Sequence, residues 1–400
     1  MLRLITLIAI TATFACASGR PGDAPATAGH DSPAAAGSVA PRLSHFGNRS
    51  VLSWIERDAA GAPSLRFAFR DGRGWSAPQT ATRDAQLAPD TADAPAVVPL
   101  ADGGLAAQWV VKRVGSKEAR DLMVAVSHDR GATWTQPVRP HRDDTETEHG
   151  MATLLPASTG GGFGVCWLDG RAGALSEYGE GATSLYWSDW TGEGFGPETQ
   201  LDPRVCDCCK TAVAQGAVGP VVAYRDRDAK ELRDISIVRN DGAAWSQPAP
   251  VHDDGWTLSA CPTNGPAIAT GGARTAVAWF TGANSSPSVW AALSQDGGAT
   301  LSGPVRIDGG APIGRVDATM LADGSTAIVW LERKGASAEI RVRRLAADGT
   351  LTAPVVVDTT SPSRASGYPS IVPSDARDVL VAWTETGTPT RVRAASVTLP

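Results

Sequence analysis

"AIVWLE", residues 327–332, is a short apolar run closed by a tryptophan, and the chain returns to that pattern along its whole length. The matching stretches are "VLSWIE" (51–56), "LAAQWVV" (105–111), "GVCWLD" (164–169), "VVAYRD" (221–226), "AVAWFT" (276–281) and "VLVAWTE" (379–385). Their aromatic residues are Trp54, Trp109, Trp167, Tyr224, Trp279, Trp330 and Trp383, spaced 51 to 58 residues apart. A fixed period of this length marks a repeat architecture, in which each unit is one supersecondary element that cannot bury its faces alone.

Around each of these runs the pattern is that of strands. An alternating segment follows, such as "LRFAF" (65–69), "LMVAVS" (122–127) or "IRVRRL" (340–345), and an apolar one such as "APAVVPL" (94–100) precedes. After six of the units comes a turn at Asp71, Asp129, Asp189, Asp241, Asp296 or Asp348. Four strands per unit predict an all-β fold, a β-propeller of four-stranded blades filling residues 41–400 as one domain. Such a ring must close to cover its sheet edges. The seventh unit ends at "RVRAASVTLP" without a fourth strand, so residues 35–41 are expected to supply it and close the ring with the start of the chain.

The sharpest turns are "SHDRGATW" (127–134) and "SQDGGATL" (294–301). They resemble the Asp box of the sialidase superfamily, also called the BNR repeat, a hairpin between the third and fourth strands of a blade. Ser127, Asp129, Gly131 and Trp134, with Ser294, Asp296 and Gly298, are read as structural, because Asp and Ser side chains satisfy turn backbone groups. The repeat count gives seven blades. Sialidases have six, so a six-bladed ring with one irregular unit is the alternative.

Composition excludes other classes. The 400 residues include 43 Gly, 28 Pro and 13 Trp, and the net charge of -6 with dispersed lysines and arginines offers no basic stripe for nucleic acid. Residues 1–16 hold Arg3, an apolar run over 4–10 and small residues around Cys16, the pattern of a secretory signal. The stretch 13–16 resembles a bacterial lipoprotein cleavage site, which implies lipidation of Cys16 and an exported protein of the periplasm or outer membrane. The lipid would then be its only contact with the membrane. Residues 17–40, small, polar and proline-spotted, read as a flexible tether reaching roughly 27 Å. A monomer is expected.

In a propeller, the connections into each inner strand and those between second and third strands share one face. Asp93, His149, the cluster Cys206, Cys208 and Cys209, then Cys261, Arg315 and Asp317 stand at or ahead of inner strands. Asp169, Arg171, Arg225 and Asp226 follow second strands. These residues are therefore assigned to one central mouth that binds a small ligand, a metal ion or a glycan. The phrases "DDTETEHG" (143–150), "WLDGR" (167–171), "CDCCKT" (206–211), "YRDR" (224–227), "CPTNGP" (261–266) and "GRVD" (314–317) resemble the motif set of a sialidase-like family of bacterial envelope proteins. That resemblance implies the fold and the place of the site, but no reaction.

Three readings of the mouth follow. Cys206, Cys208, Cys209 and Cys261, with His149, form a soft ligand set for copper or zinc, or carry redox-sensitive thiols. A sialidase or other glycoside hydrolase would use Arg171, Arg225 and Arg315 as a carboxylate clamp, with Asp93, Asp169, Asp226 and Asp317 as candidate acids. Neither Tyr224 nor Tyr368 has a paired Glu in the sequence. The third reading is a non-catalytic interaction scaffold whose cysteines form structural disulfides, as an oxidising compartment favours. Cys166, inside a Trp strand, reads as a small buried apolar residue.

Overall fold

A computed structural model describes residues 32–400 apart from 73, 89, 117–118, 175–181 and 376. The expected signal, Cys16 and most of the tether lie outside the described residues. The chain forms seven antiparallel sheets, one per repeat, so the ring has seven blades and not six. The inner strands are Val39–Phe46, Ala96–Pro99, His149–Pro156, Ala212–Gln215, Ala267–Gly271, Pro312–Met320 and Ser370–Pro373. Each pairs with a second strand that carries the repeated aromatic residue. Two blades have three-stranded sheets. In blade 2 the fourth strand is reduced to a bridge between Val124 and Val138.

The repeat is legible because each blade buries both faces. The second strand Phe163–Asp169 is buried at every position, as a strand covered on both sides must be. The core divides into seven apolar clusters, and each spans two adjacent blades. One joins Phe67 and Leu65 of blade 1 to Trp109 and Val97 of blade 2. Another joins Val329 and Ile340 of blade 6 to Trp383 and Val381 of blade 7. Every repeated aromatic packs against the preceding blade in this way and is at most 2% exposed. Burying a side chain of this size removes about 150–250 Å² from water, roughly 4–6 kcal/mol before entropy, so each interface depends on its aromatic residue. Three of the indole N–H groups find acids two residues on: Trp54 donates to Glu56, Trp167 to Asp169 and Trp330 to Glu332 at 2.6–2.8 Å.

The start of the chain closes the ring, as its sequence suggests, but packing begins before residue 41. Gly37 donates its N–H to the carbonyl of Thr390 (2.7 Å), and Ser38 Oγ accepts from the N–H of Val392 (2.9 Å). Ala34 and Ser38 are buried, and Val39–Phe46 is already the inner strand of blade 1. Residues 34–38, expected to lie in a tether of residues 17–40, instead pack as part of the ring, because they satisfy the open edge of blade 7.

The Asp boxes are structural. Asp129 accepts from Ser127 Oγ and from both the N–H and Oγ1 of Thr133, while Gly131 donates to Ser127 Oγ. Asp296, Ser294, Gly298 and Thr300 repeat the set. Trp134 packs edge-on against Phe67 of the preceding blade, ring centres 5.9 Å apart.

Candidate functional site

The loops entering blades 4 and 5 meet at the mouth through a disulfide between Cys208 and Cys261, 53 residues apart, with Cα atoms 6.0 Å from each other. Both cysteines line a recess of about 190 Å³ with Met151, Arg315, Arg364 and Tyr368. Directly beneath, Cys206 and Cys209 are free and buried. Their sulphurs are 3.4 Å apart, and Cys206 Sγ is 3.8 Å from the bonded sulphur of Cys208. The loop is held by the N–H of Cys206 on the carbonyl of Arg225, so the cluster begins where the second strand of blade 4, Pro220–Arg225, ends.

The two free thiols differ electrically. Arg233, itself 3% exposed, donates from Nη1 to Cys206 Sγ across 3.1 Å. The hydrogen bond with Cys209, the N–H of Cys208 and the charges of Arg225 and Arg233 bring the Cys206 thiol down to about 6 against the opposing effect of burial. Burial and the neighbouring Cys206 sulphur push Cys209 well above its ordinary value. The surroundings therefore favour the thiolate at Cys206 and the protonated thiol at Cys209.

The arginines expected to clamp a carboxylate are engaged elsewhere. Arg225 is fully buried, donates to the carbonyls of Asn264, Arg233 and Phe280, and lies over the Trp256 ring. Arg315 enters the recess, but its Nη1 holds the carbonyls of Ser363 and Gly367 and the hydroxyl of Ser366. Arg171 pairs with Asp169 and, at 2.6 Å, with Glu198. These three do not converge on one point, which corrects the clamp expected from the sequence. The partners of Arg225, and of Arg315 apart from the Ser366 hydroxyl, are backbone carbonyls, and no motif announces a carbonyl.

The acids are likewise structural or separate. Asp169 accepts from Trp167 Nε1 and from Arg171. Asp226 accepts from Ser236 Oγ and the N–H of Arg227, with burial raising its pKa. Asp317 accepts from the hydroxyl of Ser370 and the N–H of Ile371. Asp93 accepts the N–H of Met151 at 2.8 Å, and burial pushes its carboxyl up to about 6.

His149 is not beside the sulphurs. Its Nδ1 faces the carbonyl of Arg120 and its Nε2 faces Asp143, each at 3.0 Å, while its ring stacks on His141 at 3.8 Å. With Cys208 and Cys261 bonded to each other, the five-residue metal set read from the sequence is not one shell. Cys206 and Cys209 are the free sulphurs that remain together. The reading also passed over Arg233, His141, Asp143 and Lys210. Asp143 and Lys210 lie inside quoted motifs, whereas "ELRD" (231–234) around Arg233 carries no signal.

No family model matches the sequence, and no curated protein matches it. Solved structures do. The chain is similar to the BP39L lectin of Burkholderia pseudomallei (17% identity, 91% of this chain and 96% of that one, TM-score 0.58). It is also similar to a polysaccharide lyase of the ulvan lyase type (9% identity, 91% and 94%, TM-score 0.58) and to the Hadza microbial sialidase Hz136 (15% identity, 84% and 73%, TM-score 0.48). The seven blades define the class as a β-propeller. At these identities the likeness is one of fold.

Proposed function

We propose that this is an exported propeller whose mouth is a thiol–disulfide exchange site. The observation that supports it is the 3.8 Å between the Cys206 sulphur and the Cys208 sulphur of the outer disulfide. Cys206 is the nucleophile. Its thiolate forms a bond to Cys208 Sγ as the Cys208–Cys261 bond breaks, and the electron pair leaves on Cys261, which takes a proton from the recess. Cys209 then gives up its proton and attacks Cys206 Sγ, releasing Cys208 as a thiol. Two electrons pass from the inner pair, Cys206 and Cys209, to the outer pair, whose Cys261 is exposed to a thiol or disulfide substrate. Once all four cysteines are reduced they offer soft donors for copper or zinc, so a metal ion is a further ligand of the same site.

The test is disulfide mapping of the exported protein by acid quench, alkylation and mass spectrometry across a series of glutathione redox buffers, with total metal measured alongside. The expected result is a Cys206–Cys209 bond in part of the molecules that hold a single disulfide, in a ratio to Cys208–Cys261 that the buffer potential leaves unchanged, and its loss in Cys206→Ser. If Cys206 and Cys209 stay unbonded at every potential, the proposal fails.

Saccharide binding in the same recess is the second reading. It is favoured by the lectin and the polysaccharide lyase that share the fold at a TM-score of 0.58, and by exposed Arg364 at the rim. A glycan array with wild type and Arg364→Ala tests it. Turnover of a sialoside reporter would instead support the hydrolase.

A further inference from the structure

Below the cysteine recess, the axis of the ring holds a cavity of about 310 Å³. Lys210 and Arg42 line both this cavity and the narrow space that separates it from the recess. Lys210 is 7% exposed, and an ammonium so buried is normally paired and hydrogen-bonded. Its nearest acid, Asp317, stands 3.8 Å away, too far for a hydrogen bond, and the Tyr368 ring lies 4.9 Å off. Among the described residues, neither the Lys210 ammonium nor the Arg42 guanidinium donates a hydrogen bond to a protein acceptor. Lys210, Arg42 and Asp317 leave one net positive charge in the cavity, where burial lowers the pKa of His45, while Asp93, which lines the narrow space, is engaged by the N–H of Met151. The cavity walls are polar and apolar in about equal measure, with Leu154 and Ile268 among the apolar residues, down to Phe46 at the end of an inner strand.

We infer that this axial cavity binds a small organic monocarboxylate, its head on Lys210 and Arg42 and its body along the inner strands. A carboxylate matches the net charge, while a dianion would face Asp317 in excess. It would also complete the donors of Lys210, whose pKa burial lowers to about 8. The cavity volume falls at the lower end of ordinary small-molecule sites.

The experiment is isothermal calorimetry on the whole protein with benzoate, its uncharged counterpart benzamide, and phenyl phosphate. Benzoate is expected to bind at millimolar concentration or tighter. Lys210→Gln and, separately, Arg42→Gln should each weaken it by about tenfold or more, since each removes a charge-assisted hydrogen bond. Benzamide should not bind, and affinity for benzoate should fall above about pH 8 as Lys210 loses its proton. Equal binding of benzoate and benzamide, unchanged affinity in either folded variant, tighter binding of phenyl phosphate, or no benzoate heat up to about 20 mM overturns the assignment. Arg42 is only half-buried, so Arg42→Gln keeps the test open should Lys210→Gln fail to fold.

Discussion

Arg233 reaches across from the third-strand side of blade 4 to place its Nη1 3.1 Å from the sulphur of Cys206. The guanidinium is anchored on the Leu258 carbonyl and on Glu231, both at 2.7 Å, so its charge is fixed in place. It stabilises the thiolate and cannot lose its own proton in this range.

Replacing Arg233 with Gln should therefore raise the Cys206 pKa from about 6 toward the ordinary thiol value. Thiolate absorbance at about 240 nm, followed against pH, reports it. A midpoint left unchanged by the substitution would show that Cys209 and the Cys208 N–H suffice.

His141 supplies a pH prediction. It is buried, with Asp121 and Asp143 3.6–3.7 Å from its nitrogens, yet burial and the neighbouring His149 bring its pKa from 6.5 down to about 4. The unfolded chain thus binds a proton that the folded one refuses, so this stabilising contribution is full above pH 6.5 and is lost as pH falls toward 4. The difference is on the order of 3 kcal/mol. Denaturant unfolding of wild type and His141→Gln at pH 7 and pH 4 should show the variant losing less stability on acidification.

Ser38 tests the ring closure. Its Oγ accepts the N–H of Val392 in a fully buried setting, so Ser38→Ala leaves that donor unpaired and should cost about 1–3 kcal/mol. Urea unfolding checks it, and a loss under about 0.5 kcal/mol would mean that blade 7 closes without residues 34–38.

Gly131 in the Asp box of blade 2 has φ +90°, and an added Cβ would meet Phe67 Cζ of blade 1 at 2.3 Å. Gly131→Ala should destabilise by on the order of 3 kcal/mol through strain and overpacking. Cys206 should titrate as before, because the box serves the packing and not the mouth.

The fold was legible because each blade must place an aromatic against its predecessor, and Trp54 through Trp383 therefore recur in the sequence at a near-constant spacing. The mouth was legible in place but not in pairing. Chain connectivity brings Cys208 and Cys261 to one face, whereas their bond, and the separation of His149 from it, depend on distances across blades. Arg225 and Arg315 looked free for a ligand because their acceptors are main-chain carbonyls, which every residue has. Lys210 was hidden beside three cysteines, and only the cavity around its side chain distinguishes it.

The seam between residues 34–38 and blade 7 also determines how the ring responds to pulling. Tension applied ahead of residue 32 reaches the hydrogen bonds of Gly37 and Ser38 to Thr390 and Val392 before it reaches the strand Val39–Phe46. These few bonds peel one at a time, while the strand behind them is held along its length by its register with Arg49–Arg57. Blade 7 would lose its outer edge first under load, leaving the Cys208–Cys261 bond between the loops entering blades 4 and 5 in place.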